Sequence, residues 1–272
     1  PFFNEKAVCE LGKNLDKSKK LHRSGTEYAL KVLKRFSEIL NVSKITNLKI
    51  IATAVLREAT DTKPFINEVE KLFKTKINIL SGEEEAECSA EGVKIGFENV
   101  NGLVADLGGG SLELARVENN IVTNKTSLPI GVLRLLNNPI VKKRNLAKYI
   151  KKLLREEKWL SKKKFNNLYL VGGTWRALFK LHLFQNNHPV HIIHQYSIDN
   201  NVLSKFVEKI SSFNKSKLKT VEYISKSRTP YLPYSCIILD EIMRVTNPRN
   251  IICSISGLRE GSLSIDYFKD VK

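Results

Sequence analysis

An aspartate, three glycines and a serine stand in line at Asp106-Leu107-Gly108-Gly109-Gly110-Ser111, at the end of an apolar run. Glycine lets backbone N–H groups approach phosphate oxygens closely, and the Ser111 hydroxyl adds a donor. Asp106 is then placed to hold a divalent cation, directly or through water. Glu113, two residues beyond Ser111, shares a strand face with it and could join Asp106. A tight hairpin with a glycine-rich bulge is the structural alternative, but three glycines are costly for a simple turn. The segment is not a P-loop, because no Gly-Lys-Ser/Thr comes after it. It is not a dinucleotide fingerprint either, because the residues after the glycines read as strand.

Other residues offer related chemistry. Gly172-Gly173-Thr174 sits between a strand and a helix, where the helix N-terminus favours an anion and Arg176 could reinforce it. Close strand–helix packing is the alternative there. In Ser81-Gly82-Glu83-Glu84-Glu85 one carboxylate could act as a general base beside a bound phosphate chain. On composition alone, a helix start whose acids complement its dipole is the preferred reading. Arg57, Arg134 and Arg259 would each suit phosphate clamping, although a single arginine is most often a solvated surface residue. His188, His191 and His194 recur every three residues, but their flanks read as strand, where that spacing alternates faces. No metal centre is expected of them.

The elements that must position these residues emerge from the hydrophobic pattern. A helix is predicted over 24–40, opened by a capping box of Ser24 and Glu27, then a buried strand over 48–54. Next are a helix starting with Pro64 at its first position, a strand over 77–80 and an acidic helix over 83–93. This βαβα order implies a mostly parallel sheet with helices on its faces. Strands over 102–106, 112–117 and 121–128, the last two joined by Asn119-Asn120, read as antiparallel hairpins. Beyond them come a basic helical segment over 142–164, a strand over 168–171 and a helix from near Thr174. Helices over 199–211 and 232–246, a strand over 250–254 and a final helix from Leu258 complete the pattern. Three strands end in glycine, at Gly108, Gly172 and Gly257. The boundary is expected near 97–102, giving domains of 1–98 and 99–272.

Composition narrows the partners. The chain has 272 residues with 42% hydrophobic and 27% charged side chains, as in an ordinary globular protein. Its longest apolar run, Ile50 to Leu56 with Thr53 inside, is far short of the roughly 20 residues of a membrane span, so no membrane partner is expected. The net charge of +17 implies a polyanionic partner. Eleven basic and two acidic residues fall within 142–164. No RNA-binding or zinc-finger signature accompanies the charge, which weighs against nucleic acid. Cys9, Cys88, Cys236 and Cys253 are scattered without a CxxC pair, and no charged-then-apolar leader is visible. Reduced thiols and a cytoplasmic location are the expectation.

Taken in order, six segments resemble the exopolyphosphatase and guanosine pentaphosphate phosphohydrolase (Ppx/GppA) family: Ala52-Thr53-Ala54-Val55-Leu56-Arg57-Glu58-Ala59, Ile79-Leu80-Ser81-Gly82-Glu83-Glu84-Glu85-Ala86, Asp106 to Glu113, Leu128-Pro129-Ile130-Gly131, Val171-Gly172-Gly173-Thr174-Trp175-Arg176-Ala177, and Ser256-Gly257-Leu258-Arg259-Glu260-Gly261. The resemblance implies an α/β, actin-like fold of two ribonuclease-H-like lobes, the active site in the cleft between them and the last helix packing back on the first lobe. It implies Mg²⁺-dependent release of terminal phosphate from inorganic polyphosphate or guanosine pentaphosphate. It maps the family's catalytic glutamate onto the Glu84-Glu85 pair, Glu85 first. Metal then falls to Asp106 and Glu113, phosphate to Gly108, Gly109, Gly110 and Ser111, and positioning of the chain to Arg57.

The chain departs from that pattern at both ends. It carries no Asp-x-Gly-Ser-Asn-type first phosphate loop, since Pro1 to Lys6 match the region just after that loop's strands. It also lacks the additional C-terminal helical domain of longer members. The sequence is therefore read as a short-form member, either a fragment or a protein with half its phosphate cradle lost. A non-catalytic polyphosphate- or nucleotide-binding protein is the alternative to a hydrolase. A kinase or chaperone-type ATPase on the same fold is disfavoured by the Ser-Gly-Glu-Glu-Glu and Ser-Gly-Leu-Arg-Glu-Gly segments. The oligomeric state is left open, a homodimer included.

Overall fold

A computed structural model describes residues 3–137, 143–162 and 164–264. The chain divides into two compact units, with the division between Ser81 and Gly82.

The first unit runs through α1 (Leu15–Ser18), α2 (Arg23–Val42), β1 (Ile50–Ala52), α3 (Ala54–Glu58), α4 (Lys63–Phe73) and β2 (Ile77–Ile79). β1 and β2 pair in parallel, with Ile50 opposite Ile77 and Ala52 opposite Ile79. Helical spacing in α2 and α4 gathers Ala29, Phe65 and Val69 with Leu56 of α3 into a small core. The predicted capping box does not form. α2 starts one residue early, at Arg23, so Ser24 and Glu27 lie inside the helix, and Glu27 pairs with Arg23 instead. α4 likewise starts at Lys63, which puts Pro64 second.

The second unit is built on a six-stranded sheet. α5 (Gly82–Ile95) precedes β3 (Gly102–Leu107), β4 (Leu112–Glu118) and β5 (Ile121–Leu128). Then come α6 (Val132–Asn137), α7 (Lys143–Glu156), α8 (Lys158–Lys162), β6 (Asn167–Val171) and α9 (Gly173–Gln185). The unit ends with β7 (Ser197–Asp199), α10 (Asn200–Ser211), α11 (Lys215–Lys219), α12 (Leu232–Thr246), β8 (Asn250–Cys253) and α13 (Leu258–Ser264). The strand order is β5-β4-β3-β6-β8-β7. β4 is antiparallel to both neighbours, β6 runs parallel to β3 and to β8, and β7 is antiparallel at the edge. Without that short edge strand this is the ribonuclease-H-like arrangement.

Alternation along the strands gives the sheet two apolar faces. Leu103, Ala105, Leu107, Leu112 and Leu114 point into the main core with α7, α9, α10 and α12. Val104, Ala115, Val117, Tyr169 and Val171 pack against Ala86, Ala90 and Val93 of α5. This packing ties α5 to the larger sheet, so the boundary expected at 98/99 falls inside the second unit. The last helix packs on α5: Gly92 of α5 and Gly261 of α13 have no room for a Cβ beside the backbones of Gly257 and Cys88 respectively.

Two further local expectations are corrected. The basic 142–164 segment is two helices, broken at Glu157, whose carboxylate accepts from Thr126 Oγ1 at 3.0 Å and Trp159 Nε1 at 2.9 Å. Its Lys142 and Lys163 lie outside the described residues. The histidine stretch 188–194 is irregular, not strand. His191 packs on Phe184 and His194 on Phe97, so their rings face different neighbours. Among the described residues no helix is long and apolar enough to cross a membrane.

Candidate active site

The β3–β4 hairpin makes the centre of the site. Asp106 and Glu113 are direct cross-strand partners, both on the face that α5 covers. Like charges opposite each other in a sheet are destabilising, so this pair is unfavourable unless something offsets it. Ser89 Oγ donates to Asp106 Oδ2 at 2.6 Å, and Ser127 Oγ donates to Glu113 Oε1 at 2.8 Å. Ser127 fits here because the first residue of α5 is Gly82: a Cβ there would collide with that of Ser127.

The helix α5 supplies the third carboxylate. Glu85 is 4% exposed, whereas Glu84 is half-buried and Glu83 exposed. Glu85 and Ser89, four residues apart, share one helix face. Burial pushes the Glu113 carboxyl up to about 8, and the charges of Asp106 and Glu85 add to the effect. Burial also raises Asp106, against the Ser89 hydrogen bond and the Arg176 charge. Three carboxylates thus crowd one place, where each ionisation hinders the next.

The glycine loop is fixed by its carbonyls. Gly108 O accepts from Val132 N, Gly109 O from Leu133 N, and Gly110 O from Arg134 Nε. Among the described residues the N–H groups of Gly109, Gly110 and Ser111 engage no backbone carbonyl, which leaves them for an anion. Gly131 is required by close approach, since a Cβ would collide with the Gly109 carbonyl. Arg134 therefore has a loop-holding contact, where the sequence put it among the phosphate clamps.

All three glycine strand ends arrive at this centre. Gly172 has φ of 109°, and a Cβ on it would lie 2.6 Å from Leu107 O and 3.3 Å from Asp106 Oδ1. Gly257 lies on the other side, 3.7 Å from Asp106 Oδ2 by the same measure. Its N–H donates to Glu260 Oε2 at 2.9 Å. Gly172 caps α9, Gly173 and buried Thr174 open it, and Arg176 in its first turn donates to Gly172 O and Ile255 O. Arg228 lies against Gly173, 3.0 Å from a Cβ built there. Burial, and then the charge of Arg176, hold the Arg228 pKa below the usual arginine value.

The structure thus brings together Glu85, Asp106, Gly108 to Ser111, Glu113 and Gly172 to Thr174. Arg57 lies in the first unit, in the last turn of α3, where its guanidinium donates to Leu80 O. Arg259 is exposed on α13. Sequence reasoning missed Ser89, Ser127, Gly131 as a buttress, and Arg228. Ser89 had a readable signal in its four-residue spacing from Glu85, whereas Arg228 lies in an irregular segment with no pattern. Among the described residues no three His, Cys, Asp or Glu side chains are grouped to hold a metal by themselves. The donor pair of Asp106 and Glu113 is nevertheless all oxygen. That fits Mg²⁺, which is commonly bound by one or two carboxylates with waters and substrate phosphates completing the shell.

Fold and site together define a ribonuclease-H-like α/β protein with a carboxylate pair and a glycine loop at the end of its central sheet. The chain belongs to the Ppx/GppA phosphatase family, which it matches over residues 1–267. It is 30% identical over 260 residues to a bifunctional 3-dehydroquinate synthase/phosphatase of Fusobacterium nucleatum, covering 89% of this chain and 38% of that protein. It is 37% identical over 134 residues to a guanosine-5'-triphosphate,3'-diphosphate pyrophosphatase of Aeromonas hydrophila, covering 49% of this chain and 27% of that protein. The chain therefore spans well under half of these relatives. An exopolyphosphatase structure from Cytophaga hutchinsonii superposes with a TM-score of 0.86 at 20% identity, over 96% of this chain and 88% of that one. A Ppx/GppA family member from Aquifex aeolicus gives 0.78 at 22%, over 98% and 89%. These two likenesses establish the shared fold.

Proposed function

We propose that this protein hydrolyses terminal phosphoanhydride bonds, taking inorganic polyphosphate or guanosine pentaphosphate as substrate and Mg²⁺ as cofactor. The observation that carries the reading is the directly opposed pair Asp106 and Glu113, with buried Glu85 beside it and an open row of loop N–H groups next to it. Opposed carboxylates are costly unless a cation and a phosphate complete the charge balance. When bound, Mg²⁺ would neutralise charge on the phosphoryl oxygens.

Glu85 is the general base in this reading. It orients a water and takes its proton as the water oxygen attacks the terminal phosphorus and the bridging P–O bond breaks. The N–H groups of Gly109, Gly110 and Ser111 hold the oxygens of the transferred phosphoryl group. Gly172 to Thr174, with Arg176 and Arg228, hold an anion at the start of α9. Asp106 and Glu113 hold the cation, each kept in place by its serine. The net charge of +17 favours capture of a polyanionic chain. The four cysteines are free thiols, in keeping with a cytoplasmic protein.

The test is orthophosphate release from both substrates with Mg²⁺, by the wild type and by Glu85→Gln and Asp106→Asn. Loss of release in both variants is expected. Full activity in both would reject the assignments, and tight binding without release by the wild type would identify a binding protein.

A further inference from the structure

We propose that the pocket between α9 and α10 is a second phosphoryl-binding site, built for a small phosphomonoester and separate from the glycine-loop site. The cavity, about 370 Å³, is lined on its polar side by His182, Asn186, Asn201, Lys205 and Lys209. None of its lining residues is acidic, and two of them are lysines, both exposed. Of the nearby carboxylates, Asp199 caps α10 through Asn201 N, and Glu208 contributes to the field of Arg244, which itself pairs with Asp240.

His182 makes the pocket more than a pair of surface lysines. Its side chain is buried, at 6% exposure, and Nδ1 lies 3.1 Å from the Tyr196 hydroxyl. The Phe206 ring meets the imidazole edge-on, with centroids 5.0 Å apart. That hydrogen bond occupies Nδ1 in either tautomer and leaves Nε2 without a protein partner among the described residues; in the tautomer where the phenol donates, Nε2 carries the ring proton. The only sealed, unpartnered polar side-chain atom among them is Glu241 Oε2, so Nε2 is not sealed, and His182 itself lines the cavity. Burial, and then the charge of His188, hold the His182 pKa below the usual value. An imidazole Nε2–H and two lysines suit the oxygens of a phosphoryl group.

The remaining surfaces set the class of ligand. Asn186 spends its amide nitrogen on His182 O at 2.8 Å, which leaves its carbonyl to accept a P–OH or an alcohol. Phe206 and Val202 form an apolar wall, and the cavity exceeds what orthophosphate alone needs, so an organic body belongs beside the phosphoryl group. His182 stands nine residues after Gly173 on one helix, about 14 Å along its axis. The pocket is therefore not an extension of the glycine loop.

The experiment follows the His182 ring proton by NMR in the full chain, assigned with His182→Gln, as phenyl phosphate is added. Orthophosphate, tripolyphosphate and sodium chloride at matched ionic strength are the comparisons. Phenyl phosphate should move the resonance saturably and more tightly than the others. Lys205→Gln/Lys209→Gln should weaken that response at least about tenfold and leave the rate of phosphate release unchanged. An equal response to chloride, or an undiminished response in the double variant, overturns the proposal. Tighter binding of tripolyphosphate than phenyl phosphate also overturns it, by assigning the pocket to a phosphate chain.

Discussion

Asp106 and Glu113 face each other across β3 and β4, and each carboxylate accepts a hydrogen bond from a serine on a different element, Ser89 of α5 and Ser127 of β5. The pair therefore depends on packing around the hairpin as well as on the hairpin itself. α5 contributes both the hydroxyl on Asp106 and the Glu85 carboxylate whose charge acts on Glu113. Movement of α5 would disturb three groups together.

Ser89→Ala should show that dependence. The variant loses one hydrogen bond to a charged group, which costs about 1.5–3 kcal/mol, and frees Asp106 to turn. Phosphate release should fall roughly tenfold or more, with a higher Mg²⁺ concentration needed for half-maximal rate. Wild-type Mg²⁺ dependence would show that Ser89 does not position Asp106.

The raised Glu113 pKa makes a pH prediction for the metal-free protein. The unfolded carboxyl ionises near 4.5, the folded one only near about 8. Between these values the folded state binds more protons than the unfolded one, so stability falls as pH rises through that window and levels off above it. The fall is on the order of a few kcal/mol. Melting curves across this range should show it in the wild type and a shallower fall in Glu113→Gln. Added Mg²⁺ should reduce the fall, because a bound cation favours the ionised carboxyl.

Gly172→Ala should be strongly destabilising. Its φ of 109° is unfavourable for an L side chain, and the new methyl would press on Leu107 O. A loss of roughly 2–4 kcal/mol in denaturant unfolding is expected, from strain and backbone displacement combined. Phosphate release should weaken as well, since the displaced strand carries Asp106.

Arg228→Gln should act on substrate binding. The guanidinium lies at Gly173 within the field of Arg176, and no carboxylate shifts its ionisation. Its removal should raise KM about tenfold or more while leaving the melting temperature near that of the wild type. Steady-state kinetics with both substrates checks this, and an unchanged KM would remove Arg228 from the phosphate site.

Much of the architecture was legible because it rests on short-range pattern. The apolar pattern placed β4, β5, α2 and α12 within two residues at each end, and the start of α9 within one. The misses are short or irregular elements. α1, α3 and α6 have four to six residues, too few for a period to register. Residues 188–194 carry β-branched side chains, yet their imidazoles are drawn to Phe184 and Phe97 and the segment forms no ladder. The boundary was misread because the α5 sequence shows an apolar face without showing which sheet it covers.

By itself the sequence determined the hairpin that sets Glu113 opposite Asp106, since both lie on strands joined by four loop residues and register there is local. It also determined the three glycine strand ends and the identity of the carboxylates. Tertiary structure decided which glutamate of the 83–85 run is buried. It brought Gly172 and Gly257 to the same aspartate from strands far along the chain, and it set Arg228 against Gly173. These contacts join parallel strands through long crossovers and helix packing. Their geometry is fixed by how side chains fill the layers between sheet and helices, and local periodicity carries no record of that.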